Sequence, residues 1–115
     1  DFDHAGIVSA PYAKPAEQLM LSSVRERRYR GYCLADQSLL QPIFEEFVQM
    51  RDKINSLYET ASYLDASNKK SVLKFIDDFY GVIGDPGKVR AAFGYPCDRN
   101  GTGNVIISGL QKSNN

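Results

Sequence analysis

The sequence predicts an all-α fold: an up-down-up-down four-helix bundle with an extended N-terminal arm and a flexible Gly/Asn-rich C-terminal tail. Three observations carry that expectation. Apolar residues from Ile43 onward recur at steps of three and four, the period of a helix with one buried face. Prolines and capping residues stand where the periodic stretches begin, and glycines stand where they stop. The connections are short, which sets successive amphipathic helices antiparallel.

In chain order, residues 1–14 hold Gly6 and Pro11 without steady periodicity and are expected to form the arm. A first helix is expected from Pro15, at the position proline favours, to about Tyr29 or Tyr32. Gly31 and Leu34-Ala35-Asp36-Gln37-Ser38 then mark a connection. Ser38 and Gln41 have capping-box spacing, but Pro42 obstructs a first turn built on them. The second helix therefore opens at Gln41 and Pro42, or starts earlier and bends there. Its apolar face reads Ile43, Phe47, Met50, Ile54, Leu57, Tyr58, Ala61 and Leu64. A third helix, capped by Ser67, places Val72, Phe75, Ile76, Phe79 and Ile83 inward and ends at Gly84. Asp85-Pro86 starts a short fourth helix that runs to Gly94. The bundle domain is expected over 1–96 and the tail over 97–115, where Val105-Ile106-Ile107 is the one apolar cluster.

Composition limits what such a chain does. At 115 residues it is one small domain with one core. Fourteen basic residues balance fourteen acidic ones, which disfavours a nucleic-acid binder working by phosphate neutralisation. No run of eighteen apolar residues is present to span a membrane. The opening Asp1-Phe2-Asp3-His4 looks like that of a mature protein after removal of a targeting peptide.

Groups able to carry catalysis are scarce. His4 lies in the arm, where a general base would not be held in place. Glu45-Glu46 and Asp77-Asp78 are sequence neighbours, so on a helix they diverge by about 100° and form no carboxylate dyad. With a single histidine and no CxxC pair, a zinc site is not expected. Asp98-Arg99-Asn100-Gly101-Thr102-Gly103 opens like a calcium loop, but Gly109 stands where a closing glutamate is needed, so a Gly-rich turn is expected. No catalytic residue, cofactor or metal ligand is assigned. Cys33 and Cys97 are either one long-range bridge or two free thiols. In an up-down bundle they lie toward opposite ends, so a bridge would require Cys97 to travel back along the last helix. Arg28 projects between Leu21, Val24 and Tyr32 on the face to be buried, so it should reach the bundle end or pair with an acid of the second helix.

The zero net charge hides a segregation. Residues 34–66 carry Asp36, Glu45, Glu46, Asp52, Glu59 and Asp65 against Arg51 and Lys53. Residues 67–115 carry Lys69, Lys70, Lys74, Lys88, Arg90, Arg99 and Lys112 against Asp77, Asp78, Asp85 and Asp98. Glu45, Asp52 and Glu59 follow at seven-residue steps as an acidic stripe, and Arg25-Glu26-Arg27-Arg28-Tyr29-Arg30 is a basic cluster. Such patterning suits oriented docking on a protein partner.

The stretch from Ala61-Ser62-Tyr63-Leu64 to Tyr95 resembles the PsbQ family of photosystem II extrinsic proteins. In that family a long helix containing a similar Ala-Ser-Tyr-Leu run leads into another helix, where an aromatic precedes Ile-Asp, as in Phe75-Ile76-Asp77. A proline-initiated last helix ending near an aromatic and glycine follows, comparable with Asp85-Pro86 to Phe93-Gly94-Tyr95. The chain is more similar still to the PsbQ-like extrinsic subunit of diatom photosystem II, a helical bundle with a flexible C-terminal part. The resemblance implies a non-catalytic subunit in the chloroplast thylakoid lumen, without cofactor and monomeric when free. It would bind intrinsic and other extrinsic photosystem II subunits, touch the membrane only through them, and help retain the Ca²⁺ and Cl⁻ of the oxygen-evolving complex. Docking in that family is largely electrostatic, which makes Arg25, Arg27, Arg30, Lys69, Lys70 and Lys74 the candidate contacts. The two cysteines and the Gly/Asn-rich tail depart from the plant proteins. The alternative expectation is a secreted or periplasmic helical binding protein of the inhibitor or immunity type.

Overall fold

A computed structural model describes residues 2–98. These residues are mostly helical, with four α-helical segments: α1 (Gln41–Glu59), α2 (Ala66–Ile83), α3 (Pro86–Phe93) and the single turn α4 (Tyr95–Asp98). The chain divides into two compact units, Leu34–Gly94 on one hand, and residues 2–33 with Tyr95–Asp98 on the other. Residues 99–115, with most of the expected tail, residues 99–103 of the calcium-like fragment and Val105-Ile106-Ile107, lie outside the described residues. Cys97 and Asp98, expected to open the tail, belong to α4.

The Leu34–Gly94 unit is built by local chemistry. The Asp36 carboxylate accepts from the Ser38 amide at 2.9 Å and starts a 3₁₀ turn over Gln37–Leu40. The α-helix then begins at Gln41 with Pro42 in its first turn, where a missing N–H costs nothing. Helix α1 ends at Glu59, five residues before the expected Leu64. Thr60 closes it, its backbone amide and its hydroxyl both donating to the Ser56 carbonyl. The cap of α2 is Asp65, whose carboxylate accepts from the Asn68 amide at 2.7 Å. The expected cap, Ser67, lies inside the first turn, because a carboxylate two residues earlier already meets those amides. Gly84 ends α2 with an ordinary helical φ of −86°, so no left-handed glycine is needed there. Asp85 accepts from the Gly87 and Lys88 amides and, with Pro86, opens α3.

Helix α1 packs on α2, and α2 on α3. Within Leu34–Gly94 the buried apolar side chains are Phe44, Ala61, Val72, Ile76 and Tyr80. Phe44 meets Phe93 of α3 with ring centroids 5.3 Å apart, and Phe47 meets Phe79 of α2 edge-on at 5.1 Å. The Tyr80 hydroxyl donates to the Phe47 carbonyl at 2.6 Å.

The second unit corrects two expectations. Residues 15–32 do not form a helix; they hold one 3₁₀ turn at Glu17–Leu19, closed by Met20 in the left-handed region at φ 52°. Beyond it the Glu26 carboxylate accepts from the Ser22 and Ser23 amides and from the Ser22 hydroxyl. Serine amides committed to a side chain are not available to helical carbonyls, and this local competition outweighs the apolar spacing. The N-terminal segment is not extended either. Its amides close successive turns, Ala5 onto Phe2, Val8 and Ser9 onto Ala5, and Ala13 onto Ala10. Asp3 bonded to the Tyr12 hydroxyl holds that phenol above its usual pKa.

Cys33 and Cys97 form a disulfide with Cα atoms 4.8 Å apart. The geometric objection drawn from an up-down bundle lapses, because no first helix carries Cys33 to a bundle end. Gly94 also stops α3 after eight residues, and Cys97 lies in the turn beyond.

Candidate docking surfaces

The six candidate bases fall in different units. Arg25, Arg27 and Arg30 belong to the segment 2–33, and Lys69, Lys70 and Lys74 to the start of α2. Arg25 is half-buried and donates from Nη1 to the Gly6 carbonyl at 3.3 Å, so it holds the N-terminal turns. Arg27 and Arg30 are exposed. Among the lysines, Lys69 donates to the Glu59 carbonyl at 3.0 Å, which places its charge at the C-terminus of α1, where the helix dipole is negative. Lys74 pairs with Asp78 one turn along α2, at 3.0 Å from both carboxylate oxygens. Lys70 is exposed and has no polar partner among the described residues. It is the α2 lysine best placed to meet a partner's carboxylate.

Arg28 does not meet an acid of α1. It is half-buried, with its guanidinium 4.0 Å from the centre of the Tyr95 ring. Burial is offset by a cation–π contact, with the Glu26 carboxylate near enough to interact with its charge. An aromatic after Gly94 was legible in the sequence, but its meeting with residue 28 depends on the Cys33–Cys97 bridge nearby, which sequence reasoning left open.

Helix α1 shows its acidic stripe as expected from spacing: Glu45, Asp52 and Glu59 are all exposed. Arg51 is turned toward α2, 2.6 Å from the Asp77 carboxylate and 4.8 Å from the centre of the Tyr80 ring. An open groove of about 1040 Å³ is lined by Leu34, Phe44, Val48, Ile83 and Val89, with Asp36, Glu45 and Arg90 among its polar groups. A smaller cleft of about 320 Å³ in the other unit collects His4, Lys14, Arg28 and Arg30 around Glu26. The His4 Nδ1 lies 3.3 Å from the Lys14 carbonyl, so the ring is tied to the turn. The Ser22 hydroxyl, then the backbone amides and the Arg28 charge, hold Glu26 below the usual glutamate range.

The α1 face toward α2 is Phe44, Phe47, Arg51, Ile54 and Tyr58 rather than the one read from the sequence. Ile43, Met50 and Leu57, expected in the core, are 48%, 50% and 68% exposed. Both faces share Phe47, Ile54 and Tyr58, so periodicity alone does not separate them.

Among the described residues no group of three or more His, Cys, Asp or Glu could hold a metal ion, and no helix is long and apolar enough to cross a membrane. Comparison with family models, with curated proteins and with solved structures finds no match to this chain.

Proposed function

We propose that this protein belongs to the class of non-catalytic helical subunits that act by docking. Within that class, it is an extrinsic subunit on the lumenal side of photosystem II that stabilises the oxygen-evolving complex and its Ca²⁺ and Cl⁻. The observation that carries the reading is the order of elements over 61–95. A long helix closes just before Ala61, a capped helix follows, and a proline-initiated short helix ends at Phe93-Gly94-Tyr95, the stretch where the resemblance lies. The Cys33–Cys97 bridge suits an oxidising compartment, and the exposed Lys70 and the exposed acidic stripe suit electrostatic docking. In this reading the partners are intrinsic and other extrinsic photosystem subunits, contact with the membrane is through them alone, and nucleic acid has no part.

The reading includes the four-helix, up-down-up-down arrangement of the diatom subunit. It requires residues 15–32 to become helical in the complex, which amide chemical shifts of the bound protein would register.

Rebinding to photosystem II particles stripped of extrinsic subunits tests the function. Binding with recovery of oxygen evolution is expected, as is release at high salt, since exposed charges are screened over about 8–10 Å at physiological ionic strength. Binding without effect on oxygen evolution, or retention in strong salt, counts against it. The open groove lined by Phe44, Val48, Ile83 and Val89 favours a second reading, a secreted or periplasmic helical binder. That reading predicts a tight soluble partner recovered by pull-down.

A further inference from the structure

Ile43, Met50 and Leu57 stand seven residues apart on α1, so each lies about 20° from the last and the three form one line along the helix. All three are about half exposed or more, and Phe47, 40% exposed, and the half-buried Ile54 lie beside that line toward α2. The spacing 43, 47, 50, 54, 57 alternates four and three, the pattern of a helix seam that another helix covers. On the far edge of the seam stand Glu46 and Lys53, also seven apart, both exposed and without a polar partner among the described residues.

We infer that this seam is covered by the same seam of a second copy, with the two α1 helices antiparallel. When Phe47 faces Met50 of the second copy in such a pairing, Ile43 faces Ile54, and the flanking Glu46 meets Lys53. By the two-fold symmetry both ion pairs form at once. A parallel pairing would instead bring Glu46 toward the second copy's Arg51, which is already engaged by Asp77 and the Tyr80 ring. The molecule carries no net charge, so no overall repulsion opposes the association of two copies. Two α1–α2 pairs joined this way set four helices around one apolar seam. The dimer replaces the free monomer expected from the sequence, and it does not rest on the photosystem reading, because it concerns the isolated protein.

Sedimentation equilibrium of the full, oxidised chain across the micromolar range tests it. A concentration-dependent dimer is expected. Met50→Glu should weaken it by about tenfold or more, the scale of losing one buried apolar side chain from an interface. Far-UV circular dichroism should be unchanged, and if Met50→Glu fails to fold, Leu57→Lys at the more exposed end makes the same test. Glu46→Lys and Lys53→Glu should each weaken the dimer, and the double exchange should restore it. A monomer at all concentrations overturns the proposal, as does a dimer indifferent to Met50→Glu and Leu57→Lys. A double exchange no better than the single ones overturns the antiparallel register. A seam that stays free in solution and is covered only by a different protein also overturns it.

Discussion

Tyr80 shows how much one side chain fixes. It is 5% exposed, its ring packs edge-on against Phe79, and its hydroxyl donates to the Phe47 carbonyl across the α1–α2 contact. Its ring also faces the Arg51 guanidinium. Tyr80→Phe keeps the packing and removes only the hydroxyl. Chemical denaturation should then show a loss of about 1 kcal/mol, the net worth of a typical intramolecular hydrogen bond. The Arg51–Asp77 pair is a different case. Both side chains are largely exposed, so Asp77→Asn should cost less than Tyr80→Phe although both contacts measure 2.6 Å. That order, hydroxyl above ion pair, is the outcome to check. A reversed order would mean that the charge pair rather than the tyrosine aligns the two helices.

At the scale of elements, the legible parts of the fold are those where several local signals agree. For α3 the cap at Asp85, the proline at 86 and the stop at Gly94 coincide with the apolar positions, and the helix occupies Pro86–Phe93. For α2 the periodicity located the helix, but the choice between Asp65 and Ser67 as cap depended on backbone geometry that spacing does not hold. The segment 15–32 was misread because Leu21, Val24 and Arg28 fit a helical period while Ser22, Ser23 and Glu26 offered the backbone a competing set of bonds. The face of α1 was misjudged for another reason. Rotating the helix by about 60° exchanges Ile43, Met50 and Leu57 for Phe44 and Arg51 and keeps Phe47, Ile54 and Tyr58, so only the position of α2 decides between them. Of the candidate contacts, the bases were legible as residues, but the engagement of Lys69 by the Glu59 carbonyl and of Arg25 by the Gly6 carbonyl depends on the folded backbone.

The same local carboxylates set a pH dependence. Hydrogen bonds from Ser22 to Glu26 and from Ser38 to Asp36 hold both carboxyl groups below their ordinary ranges. A folded-state pKa lowered in this way stabilises the fold above the unfolded-chain value, and the contribution disappears as pH falls through the lowered value. The turn at residues 22–26 and the 3₁₀ turn at Gln37–Leu40 should therefore loosen below about pH 4, where free carboxylates take up protons. Thermal unfolding followed from neutral pH into that range should show the loss, and Glu26→Gln with Asp36→Asn should flatten the acid limb. An acid limb unchanged in the double variant would show that other carboxylates govern it.

For the whole molecule, the decisive constraint is the bridge between residues 64 positions apart. The loop it closes contains all of Leu34–Gly94. A chain that buries few side chains completely cannot draw much stability from its core. Restricting the unfolded ensemble by a loop of this length is worth about 4 kcal/mol in the chain-entropy account, a large part of the roughly 5–15 kcal/mol that holds a small domain folded. Reduction should therefore lower the denaturation midpoint more than any substitution discussed above, and Cys33→Ser with Cys97→Ser should reproduce the effect without reductant. A gain of two hydrogens in mass on reduction establishes that the bridge was present in the sample. Helical circular dichroism in the absence of denaturant should fall only in part, because the caps at Asp65 and Asp85 and the Phe44–Phe93 and Phe47–Phe79 contacts do not depend on it. Unchanged midpoints after verified reduction would mean that the Leu34–Gly94 helices carry the stability by themselves. The bridge would then serve chiefly to hold Arg28 and Tyr95 in register.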